Sequence, residues 1–143
     1  RAIAGCWQAA GLPNRLFIEG PSGESLTAYR KALRTGFVAV LSYPAFSAAE
    51  NATWTGVKAG LLTRLGLRSP LKAAREAGAD AVAAPTQVMT RAAAAQLRGA
   101  GLEVFLFTPN RREDLDRYCA WPVDGLITDY PDLGHCPSPL NPL

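Results

Sequence analysis

Short apolar runs alternate along the chain with stretches rich in alanine, leucine and arginine. The runs that predict β-strands are residues 16–19, 37–41, 57–62, 80–85, 102–108 and 124–129, of which 57–62 is the weakest. The intervening stretches predict helices over 25–34, 47–54, 70–77, 91–98 and 112–120. Regular alternation of strands and helices is typical of a parallel sheet with right-handed crossover connections.

Capping residues set the expected helix boundaries. Ser25 is the predicted cap of the first helix, and Ser69 with Pro70 supplies a serine cap followed by proline at the first helical position. Thr90 is the predicted cap of the helix that begins at Arg91. These positions indicate that each helix starts shortly after the strand that precedes it.

The spacing of the strands indicates a barrel architecture. Strands recur every 20–24 residues, roughly the repeat of a (β/α) barrel, in which about 250 residues serve eight units. Six predicted units are two short of closure, and an open doubly wound sheet is the alternative, although no Gly-x-Gly-x-x-Gly follows the first strand. Because the sequence starts at Arg1 and not at methionine, we expect the remaining units upstream. The predicted domain covers residues 1–134, and 135–143 form an irregular proline-rich tail.

Composition excludes several classes of protein. The 143 residues are 48% apolar and 19% charged, which suits one globular domain, and no apolar run is long enough to cross a membrane. The net charge of +3 comes from scattered basic residues, so nucleic-acid binding is not expected. Cys6, Cys119 and Cys136 lack the Cys-x-x-Cys spacing of a zinc site and are interpreted as buried or surface thiols. The cytoplasm is the favoured compartment.

Candidate chemistry lies where the predicted strands end, because parallel α/β proteins place their sites there. Glu19 ends an apolar strand, so it is either a ligand of Mg²⁺ or Ca²⁺ or a cap of the glycine-rich turn that follows. Asp129 has the same two interpretations, a cation ligand or a carboxylate that accepts hydrogen bonds within its own turn, and the second is favoured. Asn110 is interpreted as turn chemistry. The only histidine, His135, lies in the tail, which argues against a nucleophilic serine or cysteine that needs a histidine partner.

Several of these segments together resemble the glycerophosphodiester phosphodiesterase family. The family reads AGL-x-V-x-V-W-T-V-N and later G-V-D-G-I-I-T-D-x-P-D, where this chain has AGLEVFLFTPN over 100–110 and PVDGLITDYPD over 122–132. Residues 16–19 resemble the family strand that carries a metal-binding glutamate, and 41–43 resemble its Ser-Ser-Phe strand end. The similarity runs in order along nearly the whole chain.

The resemblance implies a TIM (β/α)8-barrel, here about six of its eight units, with a divalent cation, Mg²⁺ or Ca²⁺, as cofactor. It implies hydrolysis of small-molecule glycerophosphodiesters to glycerol 3-phosphate and an alcohol. Carried over residue by residue, Glu19 becomes a metal ligand, while Ser42 and Phe107 become substrate-binding residues, Phe107 in place of the family's tryptophan.

The chain also departs from the family pattern. The His-Arg-Gly motif, the Glu-x-Asp metal pair and a second histidine of the first two family strands are absent, and Pro21 stands where the family has a lysine. We therefore expect the chain to be inactive alone, with a missing amino-terminal segment or a second copy completing the barrel. The alternatives are a non-catalytic, barrel-derived binding or scaffold protein, which Pro21 favours, and an open α/β domain of unrelated chemistry.

Overall fold

The computed structural model describes residues 16–32, 37–43 and 69–133. Within them, five strands form one parallel sheet in chain order: β1 (Phe17–Gly20), β2 (Val38–Ser42), β3 (Ala81–Pro85), β4 (Glu103–Phe107) and β5 (Gly125–Ile127). The helices are α1 (Gly23–Ala32), α2 (Pro70–Ala77), α3 (Arg91–Gly99) and α4 (Arg112–Cys119), and a short 3-10 helix covers Pro131–Leu133. In this part of the chain, no helix has the length and apolar character needed to span a membrane.

The parallel α/β fold is confirmed, and five of the six predicted strands are present in the described residues. β2 pairs directly with β3, with Val40 beside Ala81 and Ser42 beside Ala83, so no strand lies between them. The predicted helix 47–54 and strand 57–62 lie outside the described residues, as does the tail 135–143. The described sheet therefore has five strands where six were expected, three short of an eight-stranded barrel, and it is not closed.

Two of the predicted helix caps are confirmed, and one is wrong. The Ser69 hydroxyl accepts a hydrogen bond from the backbone N–H of Lys72 at 3.3 Å, and Thr90 Oγ1 accepts one from Ala93 at 3.1 Å. For α1 the hydroxyl of Ser22, not that of Ser25, accepts from the backbone, the donor being the N–H of Ser25 at 3.3 Å. The helix therefore begins earlier than predicted.

The helices cover one face of the sheet and bury the larger core. Its members come from alternate strand positions and from the inward faces of the helices, and they include Leu26, Leu41, Val82, Leu97, Val104 and Leu106. A continuous apolar run such as β2 is what a strand with apolar neighbours on both faces requires. The helix-covered face of the sheet therefore holds the larger of the two clusters of buried apolar side chains in the described residues.

The opposite face of the sheet is concave. A second apolar cluster lies there, formed by Val38, Val40, Ala81 and Ala83 with Phe105 and Phe107 packed against it. Phe17 of β1 meets Phe105 of β4 edge-to-face, with ring centroids 5.4 Å apart. In a flat sheet, strands this far apart in the order would be separated by roughly 14 Å. The sheet is therefore curled as in a barrel, and we call this concave surface the inner face.

Two aspartates tie adjacent strands together at the amino-terminal end of the sheet. Asp80 Oδ2 accepts from the backbone N–H of Ala39 at 2.9 Å and from Arg30 Nη2 at 3.2 Å, linking β2 to the start of β3. Asp124 repeats the arrangement between β4 and β5: its Oδ2 accepts from the N–H of Val104 at 2.8 Å, and its Oδ1 pairs with Arg98. Each aspartate thus bridges a backbone group and an arginine from a covering helix.

Cys119, the last residue of α4, is disulfide-bonded. The interpretation of all three cysteines as thiols is therefore wrong. The sequence showed no paired spacing, because a disulfide needs proximity in the fold and not a fixed separation along the chain.

Alanine should have opposite effects at two glycines, Gly23 in the close contact between α1 and α2 and Gly99 at the end of α3. A Cβ on Gly23 would lie 2.8 Å from the Ala77 Cα, whereas a Cβ on Gly99 would meet nothing within 4 Å. We expect Gly23→Ala to destabilise the fold by about 1–3 kcal/mol through overpacking. Gly99→Ala should instead stabilise it by about 0.4–1 kcal/mol through reduced freedom of the unfolded chain. Urea unfolding of both variants checks this, and a stabilised Gly23→Ala would contradict the close approach of the helices.

Candidate active site at the carboxyl ends of the strands

The sheet register brings Glu19, Ser42 and Phe107 to one face and one end of the sheet. Glu19 pairs with Val40, and Ser42 is two positions further along the same strand. Because side chains alternate across a strand, these residues share the inner face with Val40. Phe107 packs against the inner-face cluster at the carboxyl end of β4. The three residues that the family resemblance selected are therefore gathered along the inner edge of three strands.

Glu19 is an exposed carboxylate at this end of the sheet. Within the described ranges its carboxylate accepts no hydrogen bond. It therefore does not cap the turn that follows, where the hydroxyl of Ser22 accepts from the backbone N–H of Ser25 instead. No group of three or more His, Cys, Asp or Glu residues that could hold a metal ion occurs in the described part of the chain. Glu19 thus presents carboxylate oxygens of the kind that a hard cation prefers, but it does not belong to a complete cation site within the described residues.

Phe107 belongs to an apolar strip across the carboxyl-terminal ends of three strands. The register places it beside Pro85 of β3 on one side and Ile127 of β5 on the other. The Ile127 side chain is 48% exposed on the inner face. Sequence reasoning missed Ile127, although alternation along β5 was the signal that could have placed it with Phe107. The strip offers an apolar wall to a bound molecule.

Asn110 joins the loops that follow β4 and β5. Its Oδ1 accepts from Thr128 Oγ1 at 3.0 Å and from the backbone N–H of Asp129 at 3.1 Å. Its Nδ2 donates to Asp129 Oδ2 at 2.6 Å. The expectation that Asp129 accepts hydrogen bonds within its own turn is therefore corrected, because its carboxylate accepts from Asn110 of the neighbouring loop. Asn110 likewise does more than shape its own turn.

A charged pair lies at the start of α4, which follows the carboxyl end of β4. Arg111 Nε donates to Asp114 Oδ2 at 2.8 Å. This hydrogen bond lowers the pKa of Asp114 below its usual value and raises the pKa of Arg111. Because both groups are exposed, the pair keeps Asp114 ionised without contributing much to stability. His135, the only histidine of the sequence, lies outside the described residues.

Comparison with known proteins identifies the family of the chain. The sequence profile described as "Glycerophosphoryl diester phosphodiesterase family" matches residues 2–133. No curated protein matches the chain.

Among solved structures, the chain is similar to a "putative glycerophosphoryl diester phosphodiesterase" from Silicibacter pomeroyi DSS-3. The TM-score is 0.57 at 22% sequence identity, and the match covers 82% of this chain. It covers 35% of the solved chain, so the sequence spans about a third of the length of that protein. At this identity the likeness concerns the fold, a partial TIM barrel. With the profile match over most of its residues, the chain belongs to the glycerophosphoryl diester phosphodiesterase family.

Proposed function

We propose that this chain supplies part of the active site of a metal-dependent phosphodiesterase that converts glycerophosphodiesters to glycerol 3-phosphate and an alcohol. The observation that supports this most is Glu19, an exposed carboxylate at the carboxyl end of β1 on the inner face. It stands in a chain whose family membership covers residues 2–133. Sites of (β/α) barrels lie at this end of the strands.

The side chains at this end have separable roles. Glu19 would hold the divalent cation, Mg²⁺ or Ca²⁺, which when bound supplies neutralisation of phosphoryl charge. Ser42, half-buried at the end of β2, offers a hydroxyl to the glycerophosphate. Phe107, with Ile127 beside it, forms an apolar wall that orients the alcohol portion. Asn110 holds the two loops next to this wall in place.

We infer that the chain alone does not turn over substrate. Phosphodiester hydrolysis needs groups that deliver and accept protons, and histidine is the usual one near neutral pH. The chain has a single histidine, His135, in its tail. Glu19 alone also leaves most coordination positions of a hard cation without protein ligands. The missing groups would come from further β/α units that carry the family's His-Arg-Gly and Glu-x-Asp motifs.

The test compares the chain alone with a completed barrel. The purified chain, given glycerophosphocholine with Mg²⁺ or Ca²⁺, should release no glycerol 3-phosphate with or without chelator. The same chain fused behind amino-terminal β/α units carrying both motifs should release it, and chelator should abolish the release. Chelator-sensitive turnover by the chain alone would show that the inferred inactivity is wrong.

Glu19→Gln in the completed barrel tests the assigned metal ligand. We expect it to lower activity by about 100-fold or more. Removing a group that only orients a metal ligand costs about 10–100-fold, so removing the ligand itself should cost at least the upper end of that range. Glu24→Gln is the matched control, because Glu24 is an exposed carboxylate in the first turn of α1. Equal activities of the Glu19→Gln variant and the parent would contradict the role of Glu19.

A non-catalytic binding or scaffold role is the second candidate, and Pro21 is the residue that favours it. Pro21 occupies the position of the family's phosphate-facing lysine and follows β1 directly. A completed barrel that binds glycerol 3-phosphate but hydrolyses no glycerophosphodiester would support this alternative. Restoring the lysine through Pro21→Lys should then tighten binding of glycerol 3-phosphate, as measured by calorimetry.

A further inference from the structure

An aromatic pair spans the inner face of the sheet next to the candidate site. The Phe17 ring of β1 meets the Phe105 ring of β4 edge-to-face, with centroids 5.4 Å apart and ring planes at 82°. This geometry lies within the range in which aromatic pairs are stabilising. β2 and β3 separate the two strands in the order of the sheet. The rings therefore link, across the curled sheet, two strands that are not paired through their backbones.

Small neighbours leave room for the Phe105 ring. Phe105 pairs with Ala83 of β3 on one side and with Gly125 of β5 on the other. A Cβ on Gly125 would lie 3.0 and 3.1 Å from two carbon atoms of the ring, Cδ1 and Cε1. The ring thus occupies the space that a side chain at position 125 would fill. A larger residue there would push the ring out of its place.

The two rings lie one step below two residues of the candidate site. Glu19 follows Phe17 by two positions on β1, and Phe107 follows Phe105 by two positions on β4, so the members of each pair share the inner face. Such a step covers about 6.6 Å along a strand. Because all the described strands are parallel, both steps lead towards the carboxyl ends. The ring contact therefore influences the separation of Glu19 from Phe107.

We propose that Phe17 and Phe105 are positioning residues, whose contact holds Glu19 at a fixed separation from Phe107 across the inner face. This role rests on the proposed function, in which Glu19 holds the cation and Phe107 orients the alcohol portion of the diester. A diester that contacts both the cation and the wall must match that separation, and fixed geometry of this kind favours the reaction. Among the described strands β1 pairs only with β2, so its position relative to β4 depends on the curl that the ring contact maintains.

A double-mutant cycle in the chain itself tests the contact. Phe17→Leu, Phe105→Leu and the double variant are compared with the parent by urea unfolding. We expect the two substitutions to be coupled by about 2- to 10-fold in the equilibrium constant for unfolding, the strength of an aromatic pair beyond its buried area. Phe105→Leu combined with Tyr118→Leu is the control, because Tyr118 packs in the core on the helix-covered face. Additive effects of Phe17→Leu and Phe105→Leu would overturn the proposal.

Linkage between cation and diester in the completed barrel tests the positioning. The probe is a glycerophosphocholine analogue with a methylene group in place of the ester oxygen that leads to choline, and its affinity is measured by calorimetry with and without Mg²⁺. In the parent, Mg²⁺ should tighten binding by about fivefold or more. This factor should fall to about one in Phe17→Leu and in Phe105→Leu. Tyr118→Leu should keep the parent's factor, because a loss of stability weakens binding with and without Mg²⁺ alike. Equal factors in the parent and the two phenylalanine variants would overturn the positioning role.

Gly125→Ala provides a second variant, which displaces the Phe105 ring without removing it. Its Mg²⁺ factor should lie below that of the parent. Gly99→Ala is the matched control and should keep the parent's factor, because a Cβ there meets nothing within 4 Å. An unchanged factor in Gly125→Ala would contradict the role of the ring. None of these readouts needs turnover, so a completed barrel that shows the linkage but hydrolyses no glycerophosphodiester would contradict the proposed function and support the positioning role.

Discussion

Truncating Leu106 to alanine should destabilise the chain by about 3 kcal/mol, within the range of about 2–5 kcal/mol for buried leucines. Leu106 is fully buried under the helices, at 0% exposure, and the shortened side chain leaves a cavity that the rigid sheet cannot fill. Ile127→Ala removes the same number of carbon atoms from the neighbouring strand, but this residue is 48% exposed on the inner face. We expect its truncation to cost less than about 1 kcal/mol, because most of its surface already meets water.

Urea unfolding of the two variants and the parent provides the comparison, with equal m-values as the condition for comparing midpoints. The contrast reports which faces of the sheet are covered in solution. If Ile127→Ala costs as much as Leu106→Ala, the inner face is packed against further chain and the sheet is not open. In a completed barrel the same Ile127→Ala substitution should become costlier, because the added strands would bury this position.

Asp124→Ala should cost about 2 kcal/mol, the second largest effect that we expect. Its carboxylate satisfies the backbone N–H of Val104, a buried residue, and pairs with Arg98. Removing it leaves a donor inside the sheet without a partner, a cost of about 1–3 kcal/mol. Asp80→Ala removes the same arrangement around Ala39, but the Asp80 side chain is 52% exposed against 23% for Asp124. Water can replace more of the Asp80 contact, so we expect about 1 kcal/mol there.

Asp116→Ala is the control for these two variants. Asp116 pairs with Arg112 one turn earlier on the exposed face of α4 and bonds no strand amide among the described residues. Its removal should change stability by less than about 0.5 kcal/mol. Thermal unfolding at neutral pH separates the three variants. Equal losses for Asp116 and Asp124 would mean that the charge, and not the bridge to the strand, is what stabilises the fold.

The helix starts show how far local pattern reaches. Ser69 and Thr90 were predictable, because a serine or threonine hydroxyl caps a helix within its own first turn. At α1 two serines compete within four positions, and Ser22 caps the helix where Ser25 was predicted. The start of α1 also lies against the end of α2, at Ala77, which no local rule includes.

The candidate site likewise contains residues that the sequence could select and contacts that only the fold creates. Glu19 and Phe107 could be selected from the sequence, because strand ends and family motifs mark them. Asn110 and Asp129 were assigned to separate turns, yet they bond each other across 19 positions of the chain. Likewise Asp80 contacts Ala39 from 41 positions away. Such contacts depend on which strands become neighbours, and the hydrophobic periodicity of the sequence alone does not determine the order of the strands in the sheet.

The alternation of apolar runs and helical stretches by itself determined the parallel α/β class and the order of the described elements, because side-chain periodicity and helix caps act over a few residues. The family resemblance came from short motifs at the strand ends, such as residues 100–110 and 122–132. Tertiary structure decided the direct pairing of β2 with β3, the curl that joins Phe17 to Phe105, and the disulfide at Cys119. These features bring together residues distant in sequence. Their free energy comes from packing, backbone pairing and covalent closure that exist only once the whole sheet has assembled.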